Sequence, residues 1–158
     1  MPLDKYRDNI KAIVTHPSIT AHKATILLVT PPPIHEVHLE QRDLEKGYSG
    51  VSRHQSFTAQ YAEAVREVAA ECNGQNVVLV DLWNAMLEEA KRLTPGFVDD
   101  GGFLGSRQKG DSEGLRRLLV DGLHFTGQGY KVFLEAVLPF VGRDWENEPM
   151  DNPSWIFP

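Results

Sequence analysis

The sequence predicts a single α/β domain, and three observations support this. Two short, continuous apolar runs, 24–30 and 76–82, have the composition of buried parallel strands. Between them, residues 52–72 show helical periodicity, which a crossover between parallel strands requires. The chain has 158 residues, of which 41% are hydrophobic, enough for one core. We therefore expect one domain over residues 1–158, with helices covering both faces of a parallel sheet.

The chain opens with a predicted amphipathic helix followed by the first strand. Apolar residues recur near helical spacing over residues 2–16, and Pro2 suits a first helical turn. The run 24–30 stops at three consecutive prolines, residues 31–33, which cannot continue a ladder of strand hydrogen bonds. Because the run is apolar without alternation, we expect a strand buried on both faces. The prolines are then a rigid loop at the carboxyl edge of the sheet, where α/β folds place their sites.

The crossover helix is expected to bury one side. Its stripe closes at Asn73-Gly74, a helix C-terminal signal. Cys72 at its end is expected to be an inert buried thiol. The stripe that we assign to the core comprises Phe57, Tyr61, Val65, Val68, Ala69 and Cys72.

The second half of the chain is predicted to be mostly helical. A helix is expected over 84–93, and a Gly- and Asp-rich surface loop over 94–112. A short helix follows over 113–119, and Thr126 is a plausible N-cap for a helix that runs to about residue 141. The tail 142–158 is expected to be an irregular arm that packs its aromatic side chains.

Composition excludes several classes of partner. The formal net charge of −6, without any Lys/Arg run, argues against nucleic acid and against an anionic membrane surface. The single cysteine allows no internal disulfide, which fits a reducing compartment. No apolar leader opens the sequence, and no apolar run is long enough to span a bilayer. We therefore expect a soluble, cytoplasmic protein.

Asp121 and His124 are the candidate catalytic residues. A carboxylate three positions before a histidine can accept the imidazole Nδ1–H and leave Nε2 free as a general base toward a serine hydroxyl. This is the acid–base half of a hydrolytic triad. The alternative is a chance pairing at a helix start, with Asp121 serving as a turn residue. No serine on a strand-to-helix turn precedes the pair.

Three segments in order carry a family resemblance: 29–33 (Val-Thr-Pro-Pro-Pro), 79–83 (Leu-Val-Asp-Leu-Trp) and 121–126 (Asp-Gly-Leu-His-Phe-Thr). With them the chain resembles the SGNH (GDSL-type) hydrolases, and within these the isoamyl acetate-hydrolysing esterases. The opening residues 3–9 are similar to the family segment that follows its Gly-x-Asn-Asp block. The resemblance implies a flavodoxin-like three-layer fold, no cofactor, and hydrolysis of small, acetate-like carboxylic esters through an acyl-serine.

The resemblance also assigns roles within the site. It implies that His124 is the catalytic base and Asp121 its orienting acid. Leu123, Thr30 and Pro31 are expected to contact substrate at the pocket wall. The family's Gly-Asp-Ser nucleophile block and its oxyanion blocks have no counterpart here. We therefore expect that the family's N-terminal strands are missing and that the chain alone is inactive.

Other chemical motifs are weaker. Ser112, in Gly110-Asp111-Ser112, repeats the nucleophile letters but follows a charged loop, so a solvated turn or a helix cap is favoured. Ser49, between Gly47 and Gly50, also lacks the full nucleophile pattern. His35 and His38 share a helix face but lack zinc spacing and a third ligand, so we expect a solvated helix surface and no metal site.

Two other functions remain open at this stage. The first is a non-catalytic α/β module that docks a partner, or another copy of itself as a homo-oligomer, along an exposed strand edge in residues 26–29. The second is an active hydrolase that uses Ser112 as its nucleophile. Neither requires a cofactor.

Overall fold

The computed structural model describes residues 1–98 and 101–141 as an α/β arrangement. The predicted arm, 142–158, lies outside the described residues. The elements in chain order are α1 (Leu3–Val14), α2 (Pro17–Thr20), β1 (Ile26–Val29), α3 (Glu36–Glu45), α4 (Gln55–Glu71), β2 (Val77–Val80), α5 (Leu82–Arg92), α6 (Glu113–Leu118) and α7 (Gly127–Val137), followed by a 3₁₀ turn at Leu138–Phe140.

β1 and β2 form the sheet predicted from the two apolar runs. They pair in parallel, with Ile26 opposite Val77 and Val29 opposite Val80, and α4 lies between them in the chain. One expectation was wrong: every residue of β1 is only partly buried. Within the described residues β1 has a partner strand on one edge only, so its other edge has no strand hydrogen-bonded to it there.

One face of the sheet is covered by α1 and α4. Val14 and Val68 pack with Val77 and with Cys72, whose thiol is buried as predicted. Phe57 departs from the predicted stripe, because it is 58% exposed. It lies in the first turn of α4, beside a cavity and away from the sheet core.

The other face is covered by α5, α6 and α7. Their cluster includes Met86, Leu115, Leu118 and Val132, with Val29 of β1 packed against it. The helix capped by Thr126 ends at Val137, earlier than the predicted 141, because the chain tightens into the 3₁₀ turn that contains a proline. Between residues 94 and 112, the described part contains no helix or strand, as predicted.

The carboxyl ends of the two strands are joined by one partly buried cluster of polar side chains. Thr30 Oγ1 donates to Asp81 Oδ1 at 3.3 Å and accepts from the Trp83 N–H at 2.8 Å. Arg66 donates to both Asp81 oxygens at 3.0 Å, and Asp81 caps α5 by accepting from the Asn84 N–H at 3.2 Å. Burial opposes ionisation of Asp81, but the Arg66 guanidinium outweighs it and holds the carboxyl pKa below its usual value.

None of the helices in the described ranges has the length and apolar character that a membrane crossing needs.

Candidate active site

The candidate catalytic residues lie on a short closed loop between α6 and α7. Leu119 and Phe125 form an isolated antiparallel bridge at its base. The Val120 N–H donates to His124 O at 2.7 Å, and the Thr126 N–H donates to Leu118 O at 2.9 Å. These contacts join the two ends of the loop and fix the positions at which it leaves α6 and enters α7.

Asp121 accepts three hydrogen bonds in this loop, two of them from His124. Its Oδ1 accepts from the backbone N–H groups of Leu123 at 3.1 Å and His124 at 2.9 Å. Its Oδ2 lies 2.8 Å from His124 Nδ1. An ionised carboxylate can only accept, so in the neutral imidazole the proton is assigned to Nδ1 and Nε2 keeps a lone pair. The side chain of His124 is 72% exposed, so that lone pair is reachable from outside.

The same contacts keep Asp121 ionised. Partial burial would raise the pKa of this carboxyl, but the His124 backbone N–H, the His124 imidazole and the Leu123 N–H together lower it to about 2. At neutral pH the carboxylate therefore stays charged, both before and after the imidazole takes up a proton.

Gly122 docks this loop onto the start of α3. Its carbonyl accepts from the His35 N–H at 2.9 Å, and its φ is +85°. A Cβ built on Gly122 would lie 2.6 Å from both His35 O and Leu39 N. Only glycine therefore fits between Asp121 and Leu123, both for its backbone conformation and for its close approach to α3.

A cavity of about 620 Å³ lies beside the loop, and two of the predicted substrate contacts line it. These are Leu123, directly before His124, and Pro31, which follows β1. Thr30 does not line the cavity: it is 1% exposed and hydrogen-bonded within the Asp81 cluster. The full lining is Tyr6, Pro31, Pro32, Ile34, Ser52, Arg53, His54, Phe57, Thr58, Tyr61 and Leu123.

Ser112 is a helix cap, one of its two expected roles. Its Oγ accepts from the Leu115 N–H at 3.2 Å at the start of α6. The expectation of a solvated position was wrong, because Ser112 is 1% exposed. Ser49 lies on an exposed bend after α3. In the described ranges no serine hydroxyl is hydrogen-bonded to His124.

The expectation that His35 and His38 lie on a solvated helix surface was also wrong. His35 precedes α3 and is fully buried, and His38 is half-buried. The His35 Nε2 accepts from the Ser112 N–H at 3.0 Å, which couples α3 to the cap of α6. Burial lowers the His35 pKa to about 4, although the Asp111 carboxylate at 3.1 Å from Nε2 acts in the opposite direction. The described residues contain no cluster of side chains suited to a metal ion.

Comparison with known proteins identifies the family of the chain. The family model described as GDSL-like Lipase/Acylhydrolase matches residues 1–137. The chain belongs to the GDSL lipase/acylhydrolase family. This membership implies the SGNH hydrolase α/β fold, and the helices and small parallel sheet agree with it. The resemblance seen in the sequence is thereby confirmed.

Curated relatives are similar over nearly the whole chain. An isoamyl acetate-hydrolyzing esterase 1 homolog of Mus musculus is 28% identical over 156 residues, covering 98% of this chain and 52% of the relative. The GDSL esterase/lipase WDL1 of Oryza sativa subsp. japonica is 25% identical over 92% of this chain and 46% of its own length. The isoamyl acetate-hydrolyzing esterase of Saccharomyces cerevisiae is 26% identical, over 89% and 48%. The GDSL chain described here thus spans about half the length of the curated relatives it matches.

Proposed function

We propose that this GDSL-family chain carries the acid–base half of an ester hydrolase that works through an acyl-serine. The observation that supports this most is the 2.8 Å contact between Asp121 Oδ2 and His124 Nδ1, with the imidazole otherwise exposed. His124 is the proposed base, and Asp121 is the residue that orients it.

The proposed chemistry follows from this tautomer. His124 Nε2 takes the proton of a serine hydroxyl as the oxygen attacks the ester carbonyl, and an imidazolium forms. The ionised Asp121 stabilises that imidazolium without accepting its proton, because its pKa is about 2. The imidazolium then protonates the leaving alcohol, which regenerates the neutral base. In the second half of the cycle His124 takes a proton from the water that attacks the acyl-serine, and it returns that proton to the serine oxygen as the carboxylic acid leaves. None of these steps calls for a cofactor.

We propose further that the nucleophilic serine comes from polypeptide outside this sequence. Ser112, the serine in the nucleophile-like tripeptide, is committed to capping α6. The relatives are about twice as long as the matched region, which leaves room for a strand followed by Gly-Asp-Ser. By itself the chain then has no route to an acyl-enzyme and is expected to be inactive. The proposed substrates are small, acetate-like carboxylic esters, as the names of the relatives suggest.

Complementation tests this proposal. The N-terminal half of the mouse relative is co-expressed with this chain, and turnover of a short-chain nitrophenyl ester is measured. We expect turnover only when both pieces are present, and loss of turnover in His124→Ala. His22→Ala is the matched control, because His22 is exposed and lies far along the chain from the site. Turnover by the chain alone, or turnover insensitive to His124→Ala, would contradict the proposal.

A second candidate is a non-catalytic module that binds a partner or another copy of itself. The observation that favours it is the partial exposure of all four residues of β1, Ile26–Val29. An uncovered strand edge can pair with a strand of another chain. Sedimentation of the isolated chain tests the homo-oligomer. A stable complex, together with no ester turnover after complementation, would favour this candidate over the hydrolase.

A further inference from the structure

His35 contacts both the candidate catalytic loop and the start of α6. Its backbone N–H donates to Gly122 O at 2.9 Å, at the tip of the loop. Its ring Nε2 accepts from the Ser112 N–H at 3.0 Å, and the side chain is fully buried. Ser112 caps α6, and the catalytic loop leaves the other end of that helix, after Leu118. One residue therefore holds both the tip of the loop and the helix that carries it.

Two groups of opposite kind face the same ring nitrogen of His35. The Ser112 N–H is a donor, whereas Asp111 Oδ1, at 3.1 Å from Nε2, can only accept when the carboxyl is ionised. Burial opposes that ionisation, but Arg116, which donates to both Asp111 oxygens at 2.7 and 2.8 Å, holds the carboxyl pKa below its usual value. A neutral His35 with its lone pair on Nε2 satisfies Ser112, and a protonated His35 satisfies Asp111. No single protonation state serves both.

The other ring nitrogen adds to this conflict. When Nε2 accepts, the proton of the neutral His35 imidazole is on Nδ1. That atom is buried, and no group in the described part of the chain is hydrogen-bonded to it. Protonation of Nε2 would leave a second buried donor, the Ser112 N–H, without an acceptor. Because unpaired buried donors are costly, the protonated state favours movement of Ser112 toward water.

Charges around the ring decide which state prevails. Burial favours the neutral imidazole, Asp111 opposes it, and Arg116 and His38 support it, so that the His35 pKa is lowered to about 4. The three groups come from the loop before α6, from α6 and from the first turn of α3, where the His38 ring lies 6.1 Å from that of His35 between centroids. At neutral pH the ring therefore accepts from Ser112.

We propose that the neutral imidazole of His35 positions the Asp121–His124 pair, by fixing the start of α6 while its own backbone holds the tip of the loop. Protonation of Nε2 replaces the Ser112 contact by one to the nearby carboxylate and loosens the arrangement on which the pair depends. His35 is thus a positioning residue, and it does not touch the reacting groups. This inference rests on the proposed function, because it takes Asp121 and His124 as the working acid–base pair.

NMR titration of the isolated chain between about pH 7 and 3.5 tests this link without any need for the nucleophile. The backbone amide signals of Ser112, Leu123 and His124 are followed. As His35 takes up its proton near pH 4, the Ser112 N–H should lose its hydrogen bond. The Leu123 and His124 signals should shift with the same midpoint. In His35→Gln these shifts should be absent, because glutamine accepts from Ser112 without titrating. Asp111→Asn should move the midpoint to lower pH, because it removes the acceptor of the protonated ring.

Two variants at neutral pH make the test independent of stability in acid. His35→Leu offers the Ser112 N–H no acceptor, whereas His35→Gln offers one. The Leu123 and His124 amide signals should leave their native positions in His35→Leu and return toward them in His35→Gln. His22→Leu, at an exposed position, is the matched control and should leave both signals unchanged.

Catalysis by the complemented enzyme gives a second readout. A misaligned base costs more in the transition state than in substrate binding, so His35→Leu should lower kcat by about tenfold at pH 7 and change KM by less than about twofold. His35→Gln should restore kcat to within about threefold of the native value. His22→Leu should have native kcat and KM.

The outcomes separate this inference from the proposed function. Shifts that persist with the same midpoint in His35→Gln, or a native kcat in His35→Leu with turnover still dependent on His124, would overturn the positioning role and keep the hydrolase. Coupled shifts of Ser112 and His124, in a chain that shows no turnover after complementation, would refute the hydrolase and keep the link between His35 and the loop.

Discussion

The backbone N–H of His35 donates to the carbonyl oxygen of Gly122 at 2.9 Å, and this bond holds the candidate catalytic loop against the start of α3. On the other side, the Thr126 N–H donates to Leu118 O at the end of α6. The Asp121–His124 pair is therefore fixed by two separate helices. Its geometry depends on tertiary contacts as well as on the local spacing of the two residues.

Gly122→Ala should strongly destabilise the chain. The new Cβ would lie 2.6 Å from His35 O and Leu39 N, at a φ of +85° that L-residues rarely adopt. We expect a loss of about 3 kcal/mol in the free energy of unfolding, measured by urea denaturation. Gly47→Ala is the matched control, because Gly47 has a φ of +87° but nothing within 4 Å of its Cβ position. It should lose only about 1 kcal/mol. Equal losses in the two variants would show that the close approach to α3 is unimportant.

The titration of His35 should make stability depend on pH in the mildly acidic range. Its pKa falls from 6.5 to about 4 on folding, chiefly through burial. As pH falls below about 6.5 the unfolded chain binds a proton that the folded chain does not, so stability is full above that value and declines toward pH 4. The total loss is about 3 kcal/mol. Unfolding in urea at a series of pH values measures it.

His35→Gln isolates this contribution. A glutamine oxygen can accept from the Ser112 N–H without titrating, so the variant should lose the His35 part of the slope between pH 6.5 and 4. A smaller slope should remain from His38, whose pKa burial also lowers. His22→Gln, at an exposed position, should keep the full slope. Asp111, Arg116 and His38 also act on the His35 imidazole, and they remain in both variants. An unchanged slope in His35→Gln would show that other groups cause the pH dependence.

The Asp121 carboxyl should titrate near pH 2, and His124 should be part of the reason. The imidazole supplies one of its three hydrogen bonds, while the two backbone N–H donors do not depend on the side chain. In His124→Ala the Asp121 pKa should therefore rise, yet stay below its usual value. Carboxyl-carbon NMR titration measures both. Because folding lowers this pKa, ionised Asp121 adds to the free energy of unfolding above about pH 4. That contribution is lost as the pH falls through 2. A normal Asp121 pKa in the native chain would contradict the described loop.

Thr30→Val should destabilise the carboxyl edge of the sheet. The substitution keeps the side chain's shape but removes the acceptor of the buried Trp83 N–H and a donor to Asp81. An unsatisfied buried donor costs about 1–3 kcal/mol. Thr20→Val is the control, because Thr20 is exposed on the short helix α2. Thermal denaturation compares the two. If Thr30→Val unfolds at the native temperature, the cluster does not contribute to stability.

Much of the fold could be predicted from the sequence because its signals are local. The runs 24–30 and 76–82 are apolar without alternation, which predicted β1, β2 and their parallel pairing. Thr126 precedes a helical pattern, and its Oγ1 does accept from the Gly129 N–H at 3.1 Å. The four residues of α2 were missed because a helix of that length shows no periodicity.

The parts that sequence reasoning missed depend on contacts between distant residues. His35 was expected on a solvated helix surface because His35 and His38 lack zinc spacing and a third ligand, yet Ser112, which is 77 positions away, donates to its ring. Phe57 matched the spacing of the core stripe. It lies in the first turn of α4, however, where its side chain is exposed and does not join the core against the sheet. The expected burial of β1 assumed strands on both sides, and the described residues supply one.

The most direct test of the proposed role of His124 is fluorophosphonate labelling followed by peptide mass spectrometry. We expect no adduct on the isolated chain. After complementation with the N-terminal half of the mouse relative, we expect one adduct, on a serine of the added piece, and its loss in His124→Ala. An adduct on Ser112 of the isolated chain, or labelling that persists in His124→Ala, would contradict the assignment of this chain as the acid–base half of a serine esterase.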